Sequence, residues 1–340
     1  MRFLASIQEI KNISPIENAD LIELADVLGW SCVVKKDEFR ISDKAVYFEI
    51  DSFLPIEGRY EFLRKSAYRN NEYLGEGFRI KSMRLRGTLS QGLLLPLSLM
   101  PECELLAVGT DVTELLKVKK WFIPEVESAE GTEKGAKPFG IPTTDETRIQ
   151  SIEYMLSEMR GLSYYITTKM DGTSFTAYYK DGQIGICKRN YELDDDGTSP
   201  FWAMADRLGL REKLPQYGRN IAIQGEFCGH GIQKNRLRLL EPKLFVFDIV
   251  DLDSKSLKYY DYEEIVKTCA DLGLDMVPVE EIGDAFEYNL QELLLKAQGK
   301  YASGMDKEGI VIRTQKNKFT CDMQRFSFKV LNNDNLLKED

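Results

Sequence analysis

Lys169-Met170-Asp171-Gly172-Thr173-Ser174 follows directly on the apolar run SYYITT, residues 163–168. A lysine at the end of a buried strand, beside a tight Asp-Gly turn, is placed to lose water. Desolvation lowers a lysine's pKa, and the neutral amine can attack phosphorus. The glycine lets backbone approach a ligand closely. Read alone, K-x-D-G is a weak signal, because Asp-Gly commonly marks only a hairpin turn.

It is not alone. Downstream come Lys188-Arg189-Asn190, Gln224-Gly225-Glu226, Phe245-Val246-Phe247-Asp248, Glu308-Gly309-Ile310-Val311 and Phe328-Lys329-Val330. Each lies on or beside an expected strand: QIGICKR, IAIQGEF, LFVFDIV, EGIVIRT and FSFKVL read as strands by their apolar or alternating runs. TSPFWAMADRLGL, DYEEIVKTCADLGL and YNLQELLLKAQGKYAS read as helices, the first two with N-terminal start signals. In this order and spacing the short motifs resemble motifs I, Ia, III, IIIa, IV and V of the covalent nucleotidyltransferase superfamily of ligases and capping enzymes. The resemblance covers roughly residues 146–331, more than half the chain.

The resemblance implies a chemistry for each position. Lys169 attacks the α-phosphate of ATP and becomes AMP-linked, with Asp171 and Lys329 in the same catalytic set. AMP then passes to a polynucleotide 5′-phosphate, and a 3′-hydroxyl displaces it. Glu226 and Asp171 contact the AMP ribose or order a metal shell, and Glu308 with Glu226 lies near Mg2+ or Mn2+, as suits hard carboxylate oxygens. Phe247 stacks on adenine, with Phe245 the competing choice two residues away on the same strand face. Val311 packs on the other face of the base, and Thr168 joins the nucleotide-binding set. Arg148, Arg189 and Lys329 bind phosphates, since phosphoryl transfer relies on positioning and charge neutralisation. The plainer reading makes both phenylalanines core and Glu308 a surface residue.

Motif V departs from the Lys-x-Lys found in many superfamily members. Here it reads Arg325-Phe326-Ser327-Phe328-Lys329. A period of two puts Arg325, Ser327 and Lys329 on one face, toward the nucleotide, and the phenylalanines on the core face. Ser327 brings no charge, so Lys329 carries most of the phosphate neutralisation, helped by Arg325. The competing reading of Arg325 is a solvated surface charge.

Residues 1–122 are β-rich: SCVVKK, KAVYFEI and GLLLPL are short runs between polar turns. The segments PIENADLIELADVLGW, SCVVKKDEFRISDKAVYFEIDSFLP and IKSMRLRGTLSQGLLLPL resemble an OB fold of the tRNA-binding type. Arg84 and Arg86, in a basic cluster with Arg79 and Lys81, are its candidate nucleic-acid contacts. Two further basic clusters, Lys234, Arg236 and Arg238 and then Lys316 and Lys318, read as solvated faces. The stretch PEVESAEGTEKGAKPFGIP, residues 124–142, is poor in apolar residues and reads as a linker or mobile loop. The expected fold is therefore α+β. An N-terminal β-barrel, OB-like, spans 1–122, and a linker spans 123–145. From 146 to 340 runs a mixed, mainly antiparallel-sheet nucleotidyltransferase domain, an ATP-grasp-like ligase core.

The chain runs ten residues past motif V, too few for a five-stranded barrel. Capping enzymes and typical ATP-dependent DNA ligases carry an OB domain there. An OB module in front, together with EFCGHGIQKNRL after motif III, resembles templated, nick-sealing RNA ligases. The implied partner is RNA, or a nicked duplex containing RNA, and the implied state is a monomer. A capping-type guanylyltransferase is the alternative enzyme. A nonenzymatic OB-fold nucleic-acid-binding protein with a relict ligase core is the alternative without chemistry.

Composition sets outer bounds. A net charge of −10 argues against coating nucleic acid through bulk charge. There is no apolar run near the roughly 20 residues that span a bilayer. None of the six cysteines forms a CxxC pair, which points to reduced core thiols in a cytoplasmic protein rather than a zinc site. His230 is the only histidine, and no serine or cysteine motif accompanies it as a triad would require.

Overall fold

The run SYYITTK becomes the strand Tyr164–Lys169, buried over its first four residues. A computed structural model describes residues 2–122, 131–321 and 323–337 of the chain. They fall into two units, one of residues 2–122 with 150–153, the other of the remaining described residues.

In the larger unit, Tyr164–Lys169 lies in a four-stranded antiparallel sheet, between Val279–Gly283 and Gly309–Thr314, with Ser327–Leu331 beyond. Its register pairs Lys169 with Gly309 and Thr167 with Val311; Val311 also pairs with Lys329, and Arg313 with Ser327. Directly opposed residues share a face, so Lys169, Thr167, Val311 and Lys329 belong to one side of this sheet.

The chain leaves that sheet at Lys169 and enters a second one at Thr173. This seven-stranded sheet runs Glu133–Ala136, Tyr191–Leu193, Gln183–Cys187, Thr173–Lys180, Ile221–Cys228, Lys243–Asp251, Lys258–Tyr259, antiparallel throughout. Met170-Asp171-Gly172 is thus the joint between two sheets. A Cβ on Gly172 would run into the Phe227 carbonyl and the Cys228 sulfur, so only glycine lets the joint sit against the Glu226 strand. The helices Pro200–Arg207, Leu210–Tyr217 and Tyr262–Leu272 cover the sheet, burying Phe201, Leu214 and Ile265 with Phe175, Ile223 and Val246 in one core. Their starts follow local chemistry: Ser199 accepts from the Phe201 N–H, and Asp261 with Glu264 forms a capping box.

Three expectations change. The helix anticipated over 288–303 stops at Lys296, because Gly299 takes a left-handed φ of 128° and the chain becomes a loop that buries Tyr301. The segment anticipated as a linker contains the strand Glu133–Ala136, paired with Tyr191–Leu193; residues 123–130 of it lie outside the described residues. This strand is exposed along its length and sits at a sheet edge, where backbone pairing and the Lys134–Glu192 and Lys188–Glu133 ion pairs suffice. It therefore carries no hydrophobic signal. The third change is in the smaller unit. Its strands form separate antiparallel sheets, not one closed barrel. They include Ala5–Glu9 with Lys44–Phe48 and Leu93–Pro96, and Asn12–Pro15 with Ile22–Val27 and Trp30–Lys35. Where Trp30–Lys35 meets Thr88–Gln91, the link is made by a side chain, the Val33 N–H donating to Ser90 Oγ at 3.0 Å. Ile7, Val46, Phe48, Leu54, Tyr60 and Phe78 fill the core.

All six cysteines are free; five are buried, as expected, and Cys321 is exposed. Among the described residues no helix is long and apolar enough to cross a membrane.

Candidate active site

Lys169 ends its strand with its Nζ 2.8 Å from Glu308 Oε2, both side chains half-buried. Burial alone would push the lysine pKa down, as the sequence suggests. Glu308, Glu226 and Asp171 push it up more, and the net shift is upward. The expectation of a neutral amine is thus corrected for the nucleotide-free chain: three carboxylates hold the proton on.

The same crowding acts on the neighbours. Glu226, on Ile221–Cys228, is pushed up to about 7 by burial and then by the Glu308 and Asp171 charges, with Lys169 and Lys329 opposing. Lys329, on Ser327–Leu331, is pushed down to about 7 by burial and by the positive charges of Lys169 and Arg148. Arg148 is brought there by a short parallel bridge, the Lys329 N–H donating to the Thr147 carbonyl at 2.9 Å. Lys169, Glu226, Glu308, Lys329 and Arg148 therefore gather from five separated stretches of sequence.

Asp171 is buried and accepts from the backbone N–H of Arg236 at 2.9 Å and from its Nη1 at 3.1 Å. Arg236 is only 8% exposed. Expected with Lys234 and Arg238 on a solvated face, Arg236 is instead the buried partner of Asp171. A buried carboxylate demands a cation, but nothing in the sequence says which arginine supplies it.

Thr168 donates its hydroxyl to Glu280 at 2.8 Å, and Lys307 holds the same carboxylate. Phe245 and Phe247 both pack partly buried with Met170, Cys228 and Val277. Phe247 is set apart by the Arg313 guanidinium 5.6 Å from its ring centre. Val311 is buried in the strand beside Thr167. Arg189 sits on the surface, paired with Asp145 through Nη2 at 2.6 Å and Nε at 3.1 Å.

Arg325 is corrected outright. It neither faces the cleft with Ser327 and Lys329 nor lies in solvent. Its two terminal nitrogens donate to Asp248 at 2.7 and 2.8 Å, its Nε to Asn317 at 2.8 Å, and its guanidinium lies 3.9 Å from the Tyr259 ring centre. The strand begins only at Ser327, so the period-two argument does not reach Arg325. Ser327 Oγ is buried with no hydrogen-bond partner among the described residues.

In the smaller unit Arg84 and Arg86 are exposed on the hairpin of Ser82–Leu85 and Thr88–Gln91; Arg84 donates to the Gly87 carbonyl at 3.1 Å, and Arg86 takes the turn's left-handed φ of 51°.

Among the described residues no three His, Cys, Asp or Glu side chains form a ready-made metal cage. Glu226 and Glu308 still fit a divalent cation. They are hard oxygen donors whose mutual repulsion already raises Glu226, and Mg2+ is ordinarily held by one or two carboxylates together with substrate phosphates.

A lysine gripped by carboxylates at the joint of two antiparallel sheets is the arrangement expected from the resemblance to covalent nucleotidyltransferases. Comparison with known proteins narrows the class. An OB-fold domain profile matches residues 4–97 and an RNA ligase profile matches residues 162–331. No curated protein sequence matches the chain. Among solved structures, a mutant of Naegleria gruberi RNA ligase in its apo form is 36% identical, covers 99% of this chain and 98% of its own, and superposes with a TM-score of 0.92. The same enzyme with PPi is 37% identical over 100% of this chain and 99% of its own, with a TM-score of 0.91. Another mutant, with ATP and Mn, is 36% identical over 99% of each chain, also at 0.91. The chain belongs to the RNA ligase family.

Proposed function

We propose that this chain is an ATP-dependent RNA ligase working through an AMP-linked Lys169. The observation that carries the reading is the contact of Lys169 with Glu308, beside Glu226 and a Lys329 of lowered pKa. Relatives solved with ATP, AMP or PPi, most of them with Mn, support ATP and a divalent metal as its requirements.

The residues divide the work by charge. Lys329, Arg148 and Arg189 draw the triphosphate into line, and Phe247 and Val311 take the two faces of adenine. Glu226 and Glu308 would hold Mg2+ or Mn2+, which supplies charge neutralisation on the phosphates. With Glu308 so engaged, Lys169 would be free to give its ammonium proton to solvent. The lysine nitrogen bonds to the α-phosphorus and sheds its second proton to solvent, and pyrophosphate leaves with the bonding pair. A 5′-phosphate oxygen of RNA then takes the AMP, and the N–P bond breaks as solvent protonates the departing Lys169 nitrogen. Attack by a 3′-hydroxyl on that phosphoryl group joins the strands and releases AMP. Asp171, occupied by Arg236, fixes the turn behind the nucleophile and offers its charge to the ammonium.

Three finer points belong to the same proposal. The substrate is a nicked duplex containing RNA, held in part by the OB-fold unit through Arg84 and Arg86. One chain suffices, because every group assigned to the adenylylation chemistry comes from its own larger unit. The compartment is the cytoplasm, in keeping with five buried, unpaired thiols. Incubation with α-labelled ATP or GTP and Mg2+ or Mn2+, followed by a denaturing gel, tests the reading: ATP should leave label on the protein. Label from GTP alone would turn the assignment toward a capping enzyme, and no label from either toward a binding protein.

A further inference from the structure

We propose that Tyr301 is a positioning residue for transfer of AMP to Lys169, an inference that rests on Lys169 being the nucleophile. The ladder between Tyr164–Lys169 and Gly309–Thr314 ends at the pair Lys169 and Gly309. Past that pair the two chains part, one into the Met170 turn and the other back through Glu308. At this point Tyr301 ties them together. Its hydroxyl donates to the Lys169 carbonyl at 2.6 Å and accepts from the Glu308 N–H at 3.0 Å. One phenol oxygen therefore fixes the backbone of the nucleophile against the backbone of its carboxylate partner.

Tyr301 is itself held firmly. The Tyr301 N–H donates to the Met305 carbonyl at 2.8 Å and the Gly304 N–H to the Tyr301 carbonyl at 2.9 Å, closing a tight loop. From that loop Ser303 Oγ donates to the Arg236 carbonyl at 2.5 Å, and Arg236 grips Asp171. The loop thus braces both residues that flank Met170. Burial holds the phenol well above its ordinary pKa, so it stays a donor. The ring is 8% exposed, and both hydrogen bonds of its oxygen are spent on the protein. Tyr301 is thereby a support for the lysine and not a contact for the nucleotide.

This predicts a split that loss of packing alone would not give. Tyr301→Phe keeps the buried ring and removes both bonds. In rapid-quench assays with α-labelled ATP, its rate constant for lysyl-AMP formation at saturating ATP should fall about 10–100-fold, as small misplacements of reacting groups do. The ATP concentration for half-saturation should stay within about threefold. Ser303→Ala, which only loosens the loop, should fall in the same direction by less. Melting curves accompany both, and if Tyr301→Phe melts below the assay temperature, Ser303→Ala decides. A wild-type rate constant in folded Tyr301→Phe, or in Ser303→Ala where that variant decides, overturns the proposal. So does a loss confined to ATP half-saturation. Lys169→Ala is run alongside: an adduct in that variant overturns the nucleophile assignment and the Tyr301 proposal with it. No adduct there, with full speed in Tyr301→Phe, removes Tyr301 alone.

Discussion

Lys169 Nζ and Glu308 Oε2 stand 2.8 Å apart, so the candidate nucleophile is stored as an ammonium in an ion pair. The Lys169 pKa is raised, because burial, which lowers it, is outweighed by Glu308, Glu226 and Asp171. Only the deprotonated amine can form the N–P bond. The rate of adduct formation should therefore climb between about pH 6 and pH 9, below the ordinary lysine range. Single-turnover rates across that interval check this. A flat profile would mean that proton loss from Lys169 does not limit the step.

Glu226 and Lys329 are shifted toward each other, both to about 7. Glu226 binds its proton more tightly folded than unfolded, so its contribution to stability falls as pH rises from its ordinary 4.5 toward 7. Lys329 binds its proton less tightly folded, so its contribution recovers as pH rises from 7 toward 10.5. Glu226→Gln relieves the buried charge and should raise the melting temperature by about 3–6 °C at pH 8, and by much less at pH 5. Melting curves of the ligand-free proteins at the two pH values decide it. An equal shift at both would show that Glu226 is not held protonated.

Asp248 is buried and takes both terminal nitrogens of Arg325. Arg325→Ala should cost about 3 kcal/mol of stability, because it removes both hydrogen bonds from that buried carboxylate and leaves it only Arg313, 3.5 Å away. Ser327→Ala removes a hydroxyl that bonds nothing among the described residues and should be neutral or slightly stabilising. Lys329→Ala should stop lysyl-AMP formation with the fold intact. Denaturant titration and adenylylation of the three variants separate the roles. A stable Arg325→Ala protein, defective only in adenylylation, would return Arg325 to the nucleotide site.

How much of this was legible in the sequence depended on distance along the chain. Alternation and capping chemistry located the strands around the motifs and the helices starting at Ser199 and Asp261, because those signals are local. The short motifs singled out Lys169, Glu226, Glu308 and Lys329, and the fold brings the four side chains within reach of one another's charge. Three kinds of information were out of reach. The Arg236–Asp171 and Arg325–Asp248 pairs join residues 65 and 77 positions apart, and composition cannot match such partners. The exposed edge strand Glu133–Ala136 has no apolar face to announce it. The net rise in the Lys169 pKa is a sum over charges that only the folded chain assembles.

Arg84 and Arg86 are exposed on a hairpin of the OB-fold unit. Arg84→Ala with Arg86→Ala should weaken binding to a nicked RNA duplex about tenfold and reduce its salt slope by about 1–2. Fluorescence anisotropy over a salt series measures both. Identical affinity and slope would move the nucleic-acid contact elsewhere.

Every role proposed for the site depends on one bond, that between AMP and Lys169. The most direct test incubates the protein with ATP and Mn2+, digests it under conditions that preserve the phosphoramidate, and maps the modified peptide by mass spectrometry. One AMP should appear on the peptide containing KMDGTS, with fragment ions placing it on Lys169, and none on Lys169→Ala. AMP found on a different lysine, or still attached to the Lys169→Ala protein, would contradict it.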